Sequence, residues 1–529
     1  MKIVVYNLGC KVNQYECDSL VKALREKGHE VSENLEYADA YILNTCAVTN
    51  EAERKSRQCV ERCLKFNEKA RVYICGCASQ NNPEQFINKD NVQYVIGTAN
   101  KMSLVSSFDK SGENVCKMPE KYEDDFTPDI NRTRSYIKIQ DGCNRFCTYC
   151  LIPYVRGRSR SREIESVKCE CEKLSHLTKE LVITGIDLSF YGKDINTTFV
   201  DLIKQLKDID CRIRLGSLEV SLITDELLKA LKELKAFCPQ FHLSLQSGDD
   251  SVLKRMNRHY KTQDFENEVN LIRSYFPNAA ISTDIIFGFP GETDEEFKNT
   301  LNFMKKIGFM QVHIFPYSKR EGTAAAKMNQ VDGNVKKARC KIAEGLALAL
   351  KQEYFKTMLG KELEVLIEEK NGDYYEGYSR EYIRVKVKNA EINKVIKVKA
   401  ESIDCDKIIA KEIWNMDDCL FCKMVKGEIP CDKLYEDDDM IIIKDICGFP
   451  KIHYLMIPKE HYADITELTD DRAVKLGKML KKSAEVADKT LKMTDGFRFV
   501  NNKGKHGCQS IKHLHFHIIG GEQLQDRMG

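Results

Sequence analysis

The sequence predicts a multidomain α/β protein made of two parallel α/β repeats, a small β-domain and a final α+β module. With 529 residues, the chain is too long for a single hydrophobic core. Up to about residue 350, short apolar strands alternate with polar helical stretches, the pattern of a parallel sheet covered by helices. From residue 354 to 412 the pattern changes to period-two strands, which indicates a small β-barrel or sheet.

The composition bears on the expected cellular compartment and on the electrostatic attraction of partners. Lys and Arg (82) nearly balance Asp and Glu (80), so the net charge of +2 gives no global attraction to polyanions. No apolar run approaches the roughly 20 residues of a membrane span, and residues 1–6 lead into a strand rather than a signal peptide. The 22 cysteines then indicate reduced thiols, several of them metal ligands. We expect a soluble, cytoplasmic protein without a membrane partner.

The first repeat predicts a Rossmann-like domain over residues 1–115. Its predicted strands cover residues 2–8, 40–46, 71–77 and 94–97. Three of these strands are followed or ended by a cysteine, namely Cys10, Cys46 and Cys77. Open parallel sheets bind their ligands at the carboxyl ends of the strands. We therefore expect the three thiols to converge.

The second repeat predicts a partial TIM-type barrel over residues 130–350, after an acidic linker at 116–131. The predicted strands cover residues 135–140, 180–184, 212–217, 240–246, 280–287 and 311–317. Six strand-helix units give a (βα)6 arrangement, in which reactive groups lie on the loops after the strands. The small β-domain is predicted over residues 352–413 and the final module over 416–529.

The loop after the first barrel strand carries Cys143, Cys147 and Cys150 in a Cys-x3-Cys-x2-Cys spacing. Three thiolates on a four-iron cluster leave one iron open for a reactant. A zinc knuckle is the alternative, but no fourth Cys or His lies at zinc-ribbon distance. The pattern resembles the radical S-adenosylmethionine (SAM) enzymes. That resemblance implies a 4Fe-4S cluster whose open iron binds SAM and cleaves it to a 5′-deoxyadenosyl radical.

Longer motifs resemble the methylthiotransferases over residues 1 to about 412. They are Leu8-Gly-Cys-Lys-Val-Asn-Gln-Tyr-Glu, Asn44-Thr-Cys-Ala-Val-Thr, the cysteine triplet and Pro153-Tyr-Val-Arg-Gly-Arg-Ser-Arg-Ser-Arg. The resemblance implies that Cys10, Cys46 and Cys77 hold an auxiliary 4Fe-4S cluster that presents sulfur. It further implies that SAM is used twice, to methylate this sulfur and to generate the radical. An electron donor such as flavodoxin or ferredoxin is expected as a partner.

Four barrel residues are expected near SAM on the same resemblance: Gly185, Glu219, Gln246 and Asp284. Each also has a structural interpretation, as a turn glycine or as a hydrogen-bonded polar group of the barrel core. Asp187 and Val220 depart from the Asn or His and the Pro that we expect at these positions.

Two basic stretches predict contact with RNA. The first, beyond the cluster loop, consists of Arg156, Arg158, Arg160 and Arg162, whose guanidinium groups suit phosphate recognition. The second, in a segment that resembles the RNA-binding TRAM domain, includes Arg384, Lys386 and Lys388. A solvated basic face is the alternative interpretation. We expect the anticodon stem-loop of tRNA to be the partner.

The resemblance to the methylthiotransferases also indicates which substrate is modified. Gly9-Cys-Lys-Val-Asn-Gln-Tyr resembles the subgroup that methylthiolates C2 of N6-threonylcarbamoyladenosine beside the tRNA anticodon. The alternatives are isopentenyladenosine in tRNA and a ribosomal protein.

Three alternating histidines, His513, His515 and His517, are predicted to share one face of a strand, with Leu514, Phe516 and Ile518 on the other. Together with Cys419-Leu-Phe-Cys422 and the segment 453–461, they resemble the histidine triad (HIT) nucleotide hydrolases and transferases. This resemblance implies that His515 is the nucleophile in a phosphoramidate hydrolase that acts on a nucleotide. Phosphate or ribose contacts are implied for His453, Asn501, Gln509, Ser510 and His517. The alternative is a module that binds nucleotides without turnover.

A zinc ion is implied by the same resemblance at Cys419, Cys422, His461 and His513, a closed Cys2His2 set. The alternative is that the cysteine pair only packs in the core.

Overall fold

The computed structural model describes residues 1–108, 110–124, 128, 133–413, 419–446, 450–504 and 506–524. The chain divides into two compact units, Met1–Lys411 and Glu412–Gly529. Part of the predicted linker, at residues 125–127 and 129–131, lies outside the described residues. Among the described helices, none combines the length and the apolar composition that crossing a membrane requires.

The first domain is a six-stranded parallel sheet with the order β2-β1-β3-β4-β5-β6. Its strands are β1 Lys2–Asn7, β2 Glu30–Ser32, β3 Ala40–Thr45, β4 Arg71–Gly76, β5 Val92–Ile96 and β6 Gly112–Asn114. Its helices are α1 Lys11–Glu26, α2 Asn50–Leu64, α3 Cys77–Asn81 and α4 Glu84–Ile87. All six residues of β3 are buried, as expected for a central parallel strand covered on both faces. The predicted parallel sheet is confirmed.

The second domain is an open barrel of parallel strands in two connected sheets, ordered β11-β10-β7 and β12-β13-β14-β15. Its parallel strands are β7 Arg134–Lys138, β10 Glu180–Thr184, β11 Arg212–Leu215, β12 Ser217–Leu218, β13 Gln240–Leu243, β14 Ala280–Phe287 and β15 Gln311–Pro316, and a short antiparallel pair is formed by β8 Gln140–Asp141 and β9 Arg160–Ser161. The third predicted strand is interrupted at Gly216, which separates β11 from β12. The predicted partial barrel is confirmed, with this one strand shared between both sheets.

The short helix α5 Ile152–Val155 follows the cysteine loop and packs against the N-terminal domain. The remaining helices of this domain are α6 Ile164–Ser175, α7 Phe199–Gln205, α8 Asp225–Glu233, α9 Asp250–Arg255, α10 Thr262–Tyr275, α11 Asp294–Ile307 and α12 Gly333–Met358. Capping boxes at Thr198 and Thr293 fix the starts of α7 and α11. The barrel core behind these helices is a continuous apolar cluster that includes Ile137, Leu181 and Ile281.

The third domain is a closed barrel with the order β16-β17-β18-β20-β19. Its strands are β16 Glu362–Asn371, β17 Tyr374–Ser379, β18 Arg384–Val387, β19 Val395–Asp404 and β20 Lys407–Glu412. Along β18, Val385 and Val387 are buried, whereas Arg384 and Lys386 point outwards. The period-two pattern therefore predicted this small barrel correctly.

The second unit contains a five-stranded antiparallel sheet with the order β21-β22-β23-β25-β24. Its strands are β21 Lys433–Glu436, β22 Met440–Lys444, β23 Ile452–Pro458, β24 Phe497–Val500 and β25 Phe516–Gly520, and its helices are α13 Leu420–Lys426 and α14 Asp470–Lys489. Apolar residues of α14, among them Leu476 and Val486, share a core with Leu514, Phe516 and Ile518.

Candidate functional site

The first set of thiols lies at the carboxyl edge of the N-terminal sheet. Cys10, Cys46 and Cys77 follow β1, β3 and β4, which are neighbours in the sheet. The pKa of Cys46 is raised to about 11, mainly by burial, with smaller contributions from the Cys77 and Cys10 thiols. Because β1, β3 and β4 are neighbouring parallel strands, the residues that follow them meet at one edge of the sheet. The structure therefore places the three predicted auxiliary ligands side by side.

The second set of thiols lies in the loop between β8 and α5, and each sulfur accepts one N–H group. The backbone N–H of Arg145 donates to Cys143 Sγ (3.5 Å), Arg258 Nη1 donates to Cys147 Sγ (3.3 Å), and the backbone N–H of Ile152 donates to Cys150 Sγ (3.4 Å). Hydrogen bonds to sulfur favour the thiolate and set the potential of an iron–sulfur cluster. Three adjacent sulfurs with such donors fit the ligand set of a cluster bound by three cysteines.

The two sets lie near each other, because α3, which begins at Cys77, packs against α5, which follows Cys150. Arg156 is the side chain that joins their surroundings. It is fully buried, and Nη1 binds Glu16 Oε1 of α1 and Asp141 Oδ1 beside the second loop, each at 3.0 Å. Its Nε donates to Cys77 Sγ at 3.4 Å. One guanidinium group therefore contacts the helix after Cys10, the thiol of Cys77 and the residue two before Cys143.

Two lysines complete this buried network. Lys101 forms an ion pair with Glu16, and Lys138 binds Glu16 Oε1 (2.8 Å) and Asp141 Oδ2 (2.7 Å). Burial disfavours the charged form of Glu16, but Arg156, Lys101 and Lys138 outweigh it and hold its pKa well below the usual range. Sequence reasoning missed Glu16 and Lys101. The available signal was the spacing of Asn13 and Glu16, one helical turn apart and directly after Cys10.

Burial corrects the expectation that four arginines in this region contact RNA. Arg156, Arg160 and Arg162 are only 0%, 4% and 5% exposed. Their charges are used inside the protein, for example by Arg162 with Asp124 at 2.6 Å. The predicted phosphate contact is therefore wrong for these three, and Arg158 alone of the four is exposed.

The basic residues predicted to bind RNA in the third domain differ in ion pairing and exposure. Arg384 Nε binds Glu376 Oε2 and Lys386 Nζ binds Asp404 Oδ2, both at 2.6 Å. Lys388 is exposed. The charges of Arg384 and Lys386 are thus partly neutralised by carboxylates on the same barrel.

The four residues expected near SAM fall into two groups. Gly185 lies against Gln140, and Glu219 forms ion pairs with Arg258 and Arg145 beside the sulfurs of Cys143 and Cys147. A Cβ on Gly185 would come within 3.0 Å of the Gln140 side chain, so a larger residue would disturb this wall. Arg145 Nε also binds Asp187 Oδ2 at 2.7 Å.

The other two, Gln246 and Asp284, line a cleft of about 290 Å³. The cleft is lined by residues after Cys46, by the Cys150 loop and by the carboxyl ends of barrel strands: Ala47, Val48, Thr49, Tyr149, Cys150, Leu151, Ile152, Gln246, Asp284, Ile286, Phe315, Pro316, Tyr317, Ser318 and Arg320. Its walls therefore come from both cysteine loops and are largely apolar.

The second unit brings together the four residues of the predicted zinc set. Ligand atoms of Cys419, Cys422, His461 and His513 all lie within 4.8 Å of one another. The Nε2 of His513 is 2.8 Å from the Pro458 carbonyl, which leaves its Nδ1 directed at the cysteines. Burial disfavours ionisation of Cys419, but hydrogen bonds with His461 and His513 lower its pKa to about 5. Two thiols and two imidazoles at this spacing fit a tetrahedral zinc site.

Next to this set lie the remaining histidines. His515 Nδ1 is 2.7 Å from the His513 carbonyl oxygen, so Nδ1 carries the proton and Nε2 is left with its lone pair. Burial lowers the pKa of His515, and burial with the neighbouring histidines lowers that of His517 to about 4. His453 Nε2 lies 2.8 Å from His517 Nδ1. At neutral pH the imidazoles of His515 and His517 are therefore uncharged.

The structure modifies three expectations for this region. The strand begins at Phe516, so His513 and His515 precede β25, although Leu514 and Phe516 still face the core. Asn501 Nδ2 donates to the His515 carbonyl oxygen (2.8 Å) and thereby holds its backbone. Gln509 Nε2 donates to Ala463 O (2.7 Å) and braces a loop.

Comparison with family models identifies three segments. A model described as "Radical SAM superfamily" matches residues 137–304, and one described as "Uncharacterized protein family UPF0004" matches residues 2–97. A third, described as "Scavenger mRNA decapping enzyme C-term binding", matches residues 418–529.

Similar proteins cover most of the first unit. The chain is 36% identical over 451 residues to the threonylcarbamoyladenosine tRNA methylthiotransferase MtaB of Bacillus subtilis, covering 81% of this chain and 98% of that protein. The Thermotoga maritima protein of the same name is 37% identical over 454 residues, with 81% and 99% covered. A solved HIT family hydrolase from Legionella pneumophila is 35% identical, covering 21% of this chain and 100% of its own, with a TM-score of 0.21.

The buried network generates the first prediction. Replacing Arg156 with Met removes one positive charge from the surroundings of Glu16 and Asp141. Removing one partner of a buried ion pair lowers the free energy of unfolding by about 3–5 kcal/mol. Urea unfolding, followed anaerobically, should therefore shift to a clearly lower midpoint. Arg158→Met, at an exposed position of the same loop, should change the free energy of unfolding by no more than about 0.5 kcal/mol. Equal midpoints for both variants would contradict the assigned role of Arg156.

Proposed function

The chain belongs to the radical-SAM methylthiotransferase family, and on this basis we propose that it inserts a methylthio group at C2 of N6-threonylcarbamoyladenosine in tRNA. The observation that supports the proposal most directly is the cleft of about 290 Å³, which residues after Cys46 and residues around Cys150 line together. Sulfur insertion into a C–H bond requires one centre that removes the hydrogen and a second centre that presents sulfur to the same carbon atom. A cleft between two cysteine triplets provides that arrangement.

Each triplet has a distinct role in the proposal. Cys10, Cys46 and Cys77 hold the auxiliary 4Fe-4S cluster, and Cys143, Cys147 and Cys150 hold the cluster that binds SAM. When bound, these groups supply a carbon-centred radical for hydrogen abstraction and a sulfur that replaces the hydrogen. The chain's own residues orient and tune them: Arg258 and two backbone N–H groups stabilise the second set of thiolates, and Arg156 stabilises the Cys77 thiolate.

SAM is assigned to the wall formed by Gly185 and Glu219, beside Cys143 and Cys147. The lack of a side chain at Gly185 lets this wall pack closely against Leu188 and Gln140, and the carboxylate of Glu219 is positioned by Arg145 and Arg258. Gln246 and Asp284 are assigned to the substrate cleft, although both were expected near SAM. For the anticodon stem-loop, the exposed Arg158 and Lys388 are the remaining candidates for phosphate contact.

The choice of target nucleoside is supported by the names of the similar proteins. Those covered over nearly their full length carry the name threonylcarbamoyladenosine tRNA methylthiotransferase. Others, 36% identical with 84% of their length covered, are named tRNA-2-methylthio-N(6)-dimethylallyladenosine synthase. Isopentenyladenosine is therefore the second candidate target, ahead of a ribosomal protein.

Two cysteine variants separate the roles of the triplets. Cys147→Ser should abolish both SAM cleavage and the methylthio product, whereas Cys46→Ser should abolish the product and keep release of 5′-deoxyadenosine. Each should lose about half of the iron. The exposed Cys169 on α6 provides the control, since Cys169→Ser should keep both activities. Mass spectrometry of tRNA nucleosides and of 5′-deoxyadenosine measures both outcomes. SAM cleavage by Cys147→Ser, or wild-type protein that modifies no tRNA, would refute the proposal.

For the second unit we propose a nucleotide phosphoramidate hydrolase of the HIT type. The supporting observation is the tautomer of His515, whose Nδ1 is tied to the His513 carbonyl so that Nε2 is available as the nucleophile. His515 attacks the α-phosphorus, the amine leaves with a proton, and water then breaks the phosphorus–nitrogen bond to His515. His453 and His517, whose rings lie side by side, are proposed to bind phosphate oxygens, and Ser510 is exposed. A module that only binds nucleotides is the alternative.

Removal of the nucleophile distinguishes these two. His515→Ala should lower hydrolysis of an adenosine phosphoramidate by about 10³-fold or more, as other nucleophile deletions do, and should still bind the nucleotide. His506→Ala changes an exposed loop histidine of the same unit and should leave turnover unchanged. Steady-state hydrolysis and calorimetric binding measure both properties. Full activity in His515→Ala would exclude the catalytic role.

We also propose that the Cys2His2 set of this unit holds one structural zinc ion. Cys422→Ser should release the ion and lower the melting temperature of the second unit, because a structural zinc site contributes directly to folding. Cys431→Ser, in the same unit but outside the set, should retain zinc. Metal analysis and thermal unfolding measure the effect. Zinc retained at wild-type stoichiometry by Cys422→Ser would contradict the assignment.

A further inference from the structure

An exposed aromatic ring lies beside the second cysteine loop. Tyr154 of α5 is 61% exposed, although its neighbours Pro153 and Val155 are buried. Its ring makes an edge-to-face contact with Phe146 of the cysteine loop, with the ring centroids 5.7 Å apart. A ring that only shielded the cysteines from water would itself be covered by protein. Most of the Tyr154 ring is instead available to a partner.

The guanidinium group of Arg158 lies against the same aromatic pair. It is 4.5 Å from the centroid of the Phe146 ring, and the residue is exposed. Unlike Arg156, Arg160 and Arg162, it forms no hydrogen bond or ion pair with the residues that the structure describes. The ring therefore holds this cation in place without neutralising its charge. A cation next to an exposed ring is the combination that binds single-stranded nucleic acid.

Backbone contacts fix the position of this group. Phe146 has a φ of +51°, in the left-handed region that bulky residues rarely adopt. Asn257 Nδ2 donates to the Phe146 carbonyl oxygen at 3.2 Å and holds that conformation. The segment that carries Arg158 is tied to the same loop, because the N–H of Cys143 donates to the Gly157 carbonyl oxygen at 3.0 Å. The group is therefore formed before any ligand binds, which lowers the entropic cost of binding.

The group lies directly beyond the wall of the substrate cleft. Leu151 and Ile152 line the cleft, and Tyr154 follows them in the single turn of α5. The N–H of Tyr154 donates to the Leu151 carbonyl oxygen at 2.9 Å, which fixes the ring relative to that wall. One turn of helix corresponds to about 5.4 Å. An RNA strand with one base in the cleft therefore has its adjoining nucleotide within reach of Tyr154.

We propose that Phe146, Tyr154 and Arg158 form a stacking platform for a nucleobase next to the target adenosine in the RNA loop. This inference rests on the proposed tRNA substrate and adds the site that binds the neighbouring nucleotide. The base stacks on the Tyr154 ring, and Arg158 contacts the adjoining phosphate. Removing the target base from the stack of the loop uncovers the face of its neighbour, and an aromatic ring covers that face again.

A protein that donates electrons is the other partner that would approach the cysteine loop. A specific protein interface covers about 800 Å² on each partner. The platform consists of one exposed ring and one unpaired cation, which matches a single base with its phosphate. The size and charge of the platform therefore favour a nucleotide.

Stem-loops that lack one base test the platform with the reconstituted full-length enzyme. One anticodon stem-loop is intact, and two others carry an abasic site immediately before or after the target adenosine. Wild-type enzyme should bind one of the two abasic stem-loops about tenfold more weakly than the intact one. Tyr154→Ala should bind that stem-loop and the intact one equally, whereas Tyr154→Phe should keep the wild-type difference. Tyr37→Ala, at a 60% exposed position that precedes β3, should keep it as well.

Salt dependence separates the role of Arg158 from that of the ring. Arg158→Met should reduce the slope of log Kd against log salt concentration by about one phosphate contact, because one fewer counterion is released. Tyr154→Ala should keep the wild-type slope, since stacking carries no charge. An unchanged slope in Arg158→Met would contradict its contact with phosphate.

The remaining outcomes distinguish the platform from the activity. Equal binding of all three stem-loops by wild-type enzyme, or a wild-type difference in Tyr154→Ala, would overturn the platform but leave the methylthiotransferase proposal intact. Failure of wild-type enzyme to modify the intact stem-loop would instead refute the proposed function. Wild-type RNA binding by Tyr154→Ala, with slower release of 5′-deoxyadenosine when flavodoxin but not dithionite supplies electrons, would overturn the platform in favour of a docking site for the electron donor.

Discussion

The arrangement of the first unit depends on the buried ionic contacts of Arg156. Its guanidinium group, fully buried, joins Glu16 on the helix that follows Cys10, the thiol of Cys77, and Asp141 just before Cys143. Ion pairs of this kind add little net stability, since desolvation offsets most of their attraction, but breaking one is costly. The consequence is geometric: the network penalises any displacement of the N-terminal sheet against the barrel. Two cysteine triplets from different domains are thereby held around one cleft.

The same network explains why charge is buried at this place. Among the described residues, Lys101, Lys138, Arg156 and Arg160 form ion pairs with two shared carboxylates, Glu16 and Asp141. This excess of positive charge would be unfavourable beside neutral thiols. Binding of the proposed cluster would ionise the thiols of Cys10, Cys46 and Cys77 and so supply negative charge next to these cations, and Arg156 already contacts the Cys77 sulfur. The buried cations would therefore favour the ligated form of the cysteines over free thiols.

Local sequence predicted the features that depend on local spacing. The cysteine positions, the parallel strands and the period-two barrel follow from neighbours in the chain, and the structure agrees. The role of the alternating arginines could not be predicted from local sequence, because the same pattern occurs whether the side chains face solvent or a buried carboxylate. The partner that decides between them, Glu16, is 140 residues away from Arg156.

In the second unit, His513 contacts both the cysteines of the Cys2His2 set and the ring of His515. The His513 side chain faces Cys419 and Cys422, while its backbone carbonyl lies 2.7 Å from His515 Nδ1. A ligand held by that side chain therefore also fixes the carbonyl that selects the tautomer of His515. Asn501, which donates to the His515 carbonyl, holds the same backbone segment from the other side. The strand itself begins only at Phe516, so these contacts, together with the hydrogen bond from Leu514 N–H to the Tyr462 carbonyl, hold the segment around His515. The order of this short segment, and with it the direction of the Nε2 lone pair, thus depends on the neighbouring Cys2His2 set.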